Sequence, residues 1–304
     1  MEAKKQIALG FIGFGELASG IARGLIRKER LEKIWAYDQL LGSGSESEET
    51  LRKVAAEEGV GLAETPERLV KQVEIIISSV VPAQALRVAQ AFSPLLSRGQ
   101  IYADFNSCAP QMKIEADREI APSGASYVDV GVVGGISLQG HKIPCLACGP
   151  AAERLKALVS PWGMNIRVVA GPIGTAARMK MLRSVALKGI EALMLEMLTA
   201  AKEYGLEEEM MSSVAETFDR GNFRGYLNML MTTHAIAAGR RLSEVEMVAE
   251  TVKESGVSPF MSEGMIKLFA HSAGLDLGKD FHGNVPSNYK EVTSAIIAHY
   301  KKER

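Results

Sequence analysis

Among the 304 residues there are only three cysteines, and nowhere a dense run of Lys or Arg. With a net charge of −1 and no basic stripe, the chain lacks the surface that releases counterions from nucleic acid or anionic lipid, so neither is expected as a partner. It also lacks a long uninterrupted apolar run. The apolar start at Ile7 is too short and too glycine-rich for a signal peptide, and the apolar stretch from Ala176 is broken by Arg178, Lys180, Arg183 and Lys188. Few cysteines suit a reducing compartment, so a soluble, cytoplasmic protein is expected. Cys145 and Cys148 form a CxxC, but in an apparent strand residues three apart point to opposite faces. One further cysteine, Cys108, and five scattered histidines do not supply a second ligand pair, so no metal centre is expected.

What remains is ordinary globular material, 47% hydrophobic and 23% charged, enough for one large domain or two smaller ones. Short β-branched runs near residues 7–12, 33–37, 74–79, 101–104, 127–133 and 143–148 alternate with amphipathic stretches, the pattern of a doubly wound, mostly parallel sheet. From Thr175 onward strands stop. Residues 175–204 are apolar on nearly every side and predict a helix buried all round, roughly 45 Å long. Further helices are expected over 207–218, 226–238, 242–255, 259–271 and 287–300. The resulting division is an α/β, Rossmann-like domain over 1–170 and an all-α domain over 171–304, which carries substrate and dimer contacts. Residues 42–49, GSGSESEE, read as a solvated loop.

The opening IALGFIGFGELASGIARGL places a first strand, a glycine turn and a helix in succession. Such a junction gathers unpaired backbone N–H groups, including those of Glu16 and Leu17, with the positive end of the helix dipole. Gly13 makes the turn, Gly15 lets a pyrophosphate approach the backbone, and Ala18 takes the third, small position. The next strand ends at Asp38, about 20 residues further on, where a carboxylate accepts from an adenosine ribose and repels a 2′-phosphate. With Glu46, Glu48 and Glu49 nearby, NAD is favoured over NADP.

In these motifs the chain resembles the β-hydroxyacid dehydrogenase superfamily, which includes 3-hydroxyisobutyrate and 6-phosphogluconate dehydrogenases. GFIGFGELASGIA is similar to its cofactor motif, SSVVP (Val80, Val81, Pro82) to its cofactor loop, and DFNSCAP (Asn106, Ser107) to its segment near the nicotinamide. YVDVGVVGGI resembles the substrate segment, here Val133, Gly134 and Gly135. GPIGTAARMKMLRS resembles the stretch that carries the catalytic lysine, here Lys180, with Ser184 one turn on. The remainder, above all residues 239–264, resembles a subgroup with a phosphogluconate-dehydrogenase-like C-terminal domain. The resemblance implies a homodimer and a small substrate, a carboxylate. The chain departs from the family at Val133, where a serine stands, at Ser184, where an asparagine stands, and at ISLQGHKIP after Gly135.

Oxidising an alcohol with a nicotinamide requires a base for the hydroxyl proton, and burial beside another cation, Arg178 or Arg183, makes a lysine such a base. At about 100° per residue, Lys180, Ser184, Lys188 and Glu191 share one helix face, with Lys188 and Glu191 spaced to pair. The expected activity is NAD(P)-dependent oxidation or reduction of a small hydroxycarboxylic acid. Two alternatives stand: an imine reductase, though relatives of that kind usually lack the lysine, and a non-catalytic dinucleotide-binding regulator.

Overall fold

The computed structural model describes residues 7–25 and 31–302. The chain divides into two compact units, Met1–Val185 and Ala186–Arg304.

The first unit is built on one eight-stranded sheet in the order β3-β2-β1-β4-β5-β6-β7-β8. The strands are β1 (Ile7–Ile12), β2 (Leu31–Tyr37), β3 (Gly61–Leu62), β4 (Ile75–Ser78), β5 (Ile101–Asp104), β6 (Ser126–Val132), β7 (Cys145–Cys148) and β8 (Ile166–Val168). Every pairing is parallel except that of β6 with β7. Helices α1 (Glu16–Leu25), α2 (Glu46–Glu57), α3 (Pro66–Gln72), α4 (Ala85–Phe92), α5 (Pro110–Ile120), α6 (Ile136–Gln139) and α7 (Ala152–Val159) connect them, and α8 (Thr175–Glu203) follows.

Alternation along the strands sorts side chains into two layers. Leu9, Phe11, Ile75, Ile77 and Val128 pack with Ile21 of α1, Leu51 of α2 and Leu155 of α7. Ala8, Ile12, Ile76 and Tyr102 pack on the other face with Leu69 of α3, Phe92 of α4 and Ile120 of α5. Each fully buried Ile or Leu contributes about 1.5–3 kcal/mol, so the two layers together fix the sheet and the loops at its carboxyl edge. On β7, Cys145 belongs to one layer and Cys148 lies opposite, next to Ala176; burial pushes their thiols up to about 12 and about 11. Neither is poised for redox chemistry.

Three expectations are corrected. Residues 42–49 are not all loop, because Ser45 caps α2 and accepts from the Glu48 N–H, while the Glu48 carboxylate accepts from the N–H groups of Gly42 and Gly44. The S-x-x-E spacing is that of a capping box, but here the glutamate reaches past the cap to the two glycines, and the Ser45 N–H donates to the Ser43 hydroxyl. The two helices expected over 226–238 and 242–255 are one, α10, introduced below; Gly239 does not break it, and Arg240 pairs with Glu244 one turn on. Finally, α8 is not buried all round. Its buried positions are small alanines near either end, Ala176, Ala177, Ala200 and Ala201, whereas Leu182, Val185 and Leu195 are 66%, 73% and 66% exposed.

The second unit holds the rest of α8 with α9 (Glu207–Asp219), α10 (Phe223–Glu254), α11 (Phe260–Gly274), α12 (Leu277–Asp280) and α13 (Tyr289–Lys302). Ala235, Leu275, Leu277 and Val292 join α10, α12 and α13 in a small core. Glu196 of α8 accepts from the N–H groups of Met261 and Ser262, which satisfies the first turn of α11.

Candidate dinucleotide site

Because β1 and β4 are adjacent at the centre of the sheet, with the connections leaving to opposite sides, a crevice opens at their carboxyl ends. A cavity of about 290 Å³ lies there, lined by Gly13, Gly15, Asp38, Val80 and Val81 among others. Gly13 has φ +80°, and a Cβ on it would stand 2.8 Å from the Ser79 carbonyl oxygen, so only glycine turns the chain here. Its N–H donates to the Tyr37 carbonyl at 2.9 Å. Around Gly15, by contrast, a Cβ would meet nothing within 4 Å. That open space above the first turn of α1, where Glu16 and Leu17 present N–H groups, fits a pyrophosphate.

Asp38 has a second task that the sequence did not disclose. One carboxylate oxygen accepts from the Phe14 N–H at 2.9 Å and the other from the Leu40 N–H at 3.0 Å. The carboxylate is thereby fixed at the cavity wall while each oxygen keeps a lone pair. Arg52 of α2 is held by Glu48 and Glu64. The Gly42 and Gly44 N–H groups, followed by Arg52, hold the Glu48 carboxyl down at about 2.

The loop after β4 is tied to the loop after β5. Asn106 accepts from the Val80 N–H at 2.7 Å and donates to the Ser78 hydroxyl at 3.0 Å. Pro82 opens a single 3₁₀ turn beside Cys108. One residue beyond Asn106, the exposed Ser107 hydroxyl accepts a hydrogen bond from Lys180 Nζ. The structure thus brings together two residues 73 apart in sequence that were assigned to different segments.

Lys180 sits on the second turn of α8, partly buried, and its proton affinity is lowered first by that burial and then by the charge of Lys113. Lys113 replaces the expected Arg178 and Arg183, which are exposed. Of the other expected residues, half-buried Ser184 donates back to the Lys180 carbonyl at 3.0 Å, and the exposed Lys188 and Glu191 pair at 2.6 Å. Val133 packs against the small cluster of Leu146, Cys148, Val169 and Ala176, and so occupies core space where the resemblance places a serine. At Gly134 a Cβ would stand 2.8 Å from Pro144 Cδ, so the glycine leaves room for that ring, whereas Gly135 precedes α6 as its cap.

Sequence reasoning missed Asp129. On strand β6 its Oδ2 accepts from the N–H groups of Gly174 and Ala177, both at 3.1 Å, and from the Cys148 thiol. A carboxylate inside the apolar run YVDVGV was the available signal. Gly131, two residues on, allows the close approach of α8: a Cβ there would lie 2.9 Å from the Ala176 carbonyl oxygen.

Comparison with known proteins agrees with this geometry. Residues 8–170 match the NAD binding domain of 6-phosphogluconate dehydrogenase. The chain belongs to that family. Beyond the NAD-binding domain, residues 201–272 match a domain of unknown function (DUF1932). An uncharacterized 28.5 kDa protein of Methanothermus fervidus is 29% identical over 263 residues, 86% of this chain and 98% of that protein. A conserved protein whose structure is described as similar to 3-hydroxyacid dehydrogenases is 30% identical, with a TM-score of 0.57, over 88% of this chain and 96% of that one. The fold extends to a reductive aminase from Aspergillus terreus in complex with NADPH4, cyclohexanone and allyl amine, 14% identical with a TM-score of 0.75, over 97% of this chain and all (100%) of that one. The chain therefore carries a dinucleotide-binding domain of the 6-phosphogluconate dehydrogenase kind.

Proposed function

We propose that this protein is an NAD(P)-dependent oxidoreductase of a small hydroxycarboxylic acid, with Lys180 as the proton-transfer group. The observation that carries the reading is the hydrogen bond from Lys180 to Ser107, beside the loop that Asn106 ties to the cavity wall. A bound nicotinamide supplies hydride exchange. Lys180, when neutral, takes the proton of a substrate hydroxyl and, when charged, returns it to a carbonyl oxygen. Ser107 orients the amine. The Gly13–Leu17 turn and Asp38 hold the dinucleotide, and the fixed carboxylate of Asp38, with Arg52 already paired, favours NAD over NADP. The NADPH forms recorded with the fungal enzyme belong to a chain only 14% identical.

The exposed apolar side chains of α8 support a homodimer as the working form. No helix among the described residues is long and apolar enough to cross a membrane.

A second reading, reduction of an imine, draws on Val133, whose apolar side chain replaces a hydroxyl in the substrate segment. A screen of 2- and 3-hydroxy acids, sugar acids and cyclic imines, with either cofactor and absorbance of the reduced ring as readout, separates the two. Turnover of hydroxy acids is expected; turnover of imines alone would favour the second reading.

A further inference from the structure

Beneath Ser107 and Lys180 lies a charged cluster with almost no access to water. Lys113 on α5 is 1% exposed, as is Asp104 at the end of β5, and Asp129 on β6 is 0% exposed. Lys113 Nζ donates to the Asp104 carbonyl oxygen at 2.7 Å and to Asp104 Oδ1 at 2.8 Å, and stands 3.8 Å from Asp129 Oδ1. Asp104 also accepts from the Tyr127 hydroxyl at 2.6 Å and, through Oδ1, from the Asn106 N–H at 2.9 Å. A buried cation between two carboxylates is weak evidence for stability, because desolvation offsets most of the attraction. What the cluster provides is geometry, since each carboxylate holds a different arm of the site.

Asp104 holds the Asn106 N–H, hence the loop that presents Ser107. Asp129 holds the N–H groups of Gly174 and Ala177, hence the turn of α8 that precedes Lys180. We propose that Lys113 is a positioning residue: as the shared cation of Asp104 and Asp129, it locks the Ser107 loop and the first turn of α8 in the register that lets Lys180 reach Ser107. The inference rests on Lys180 as the proton-transfer group. An electrostatic effect accompanies the mechanical one. The ionisable groups bearing on Lys180 are Lys113 from α5, Cys108 from the loop before it and Cys145 from β7; the ammonium opposes a charge on Lys180, and the thiols act the other way.

The test uses the full chain and needs no substrate. Accessible lysines are methylated with a ¹³C label, which Lys113 escapes by its burial, and the Lys180 signal is identified by its loss in Lys180→Met. In Lys113→Met the Lys180 signal should titrate at higher pH than in wild type. In the same variant, amide exchange at Asn106 and Ala177 should rise together while Ile76, in the core of β4, stays unchanged. Deleting one partner of a buried cluster is destabilising, so Lys113→Met/Asp104→Asn, which removes a charge of each sign, serves as a second variant; its Lys180 signal should move in the same direction but less far, because loss of the Asp104 carboxylate opposes loss of the Lys113 ammonium. An unmoved Lys180 signal in a folded variant, or exchange that rises evenly over the sheet, would overturn the proposal. So would loss of fold in both variants, which would make the cluster a folding element only. Failure of the proposed activity is separable: a Lys180 shift without any hydroxy-acid turnover leaves Lys113 in its role, whereas turnover with an unmoved Lys180 removes it.

Discussion

Lys180 donates a hydrogen bond to Ser107, and so joins the helix that leaves the NAD-binding sheet to the loop that follows β5. Because burial and Lys113 lower its proton affinity, Lys180 loses its proton at a lower pH than a surface lysine. Alcohol oxidation, which needs the neutral amine, should therefore rise as pH increases through that lowered value. Carbonyl reduction, which needs the ammonium, should fall over the same interval. Rate profiles in both directions check the sign. The unfolded chain binds the extra proton between the lowered and the ordinary lysine value, so this residue's burden on stability is full below the lowered value and is relieved as pH rises across that window.

Two glycines of one turn should respond differently to a methyl group. Gly13→Ala places a Cβ 2.8 Å from the Ser79 carbonyl in a left-handed conformation, so both stability and cofactor binding should fall, the stability by roughly 1–3 kcal/mol. Gly15→Ala meets no protein atom within 4 Å. Its melting temperature should stay near wild type while dinucleotide affinity drops, and titration of both variants with NADH separates the roles.

Asp38→Asn keeps acceptor capacity beside Phe14 but removes the charge that faces a 2′-phosphate. Fluorescence titration should show wild type favouring NADH over NADPH, and the variant should narrow that preference. Equal affinities in wild type would place the ribose away from this carboxylate.

Leu195, 66% exposed on α8, should lie in a dimer contact. Leu195→Glu is expected to shift sedimentation at micromolar concentration from dimer toward monomer, with the dinucleotide site intact. A wild-type monomer would instead leave the apolar face of α8 for another partner.

The turn at Gly13, the acid at Asp38 and the two-layer sheet were legible because period-2 alternation and glycine chemistry are local. The Ser45 cap of α2 was equally local and was passed over because serine, glycine and glutamate together resemble a solvated loop. The long helix was misread for a different reason: apolar residues on every side predict burial, but in this chain Leu182, Val185 and Leu195 stand exposed. The pairing of Lys113 with Asp129 was beyond reach for a third reason, although the apolar run around Asp129 marked that carboxylate as unusual. Their meaning is a meeting of α5, β6 and the start of α8 that no spacing encodes. The role proposed for Lys180 came from resemblance, and its bond to Ser107 only from three dimensions.

The most direct measurement compares Lys180→Met with wild type on the best hydroxy acid found, following both turnover and cofactor affinity. The account predicts dinucleotide affinity near wild type and turnover lower by about 10²–10⁴, as for a lost general acid or base. A Lys180→Met protein that turns over its best substrate at the wild-type rate would contradict it.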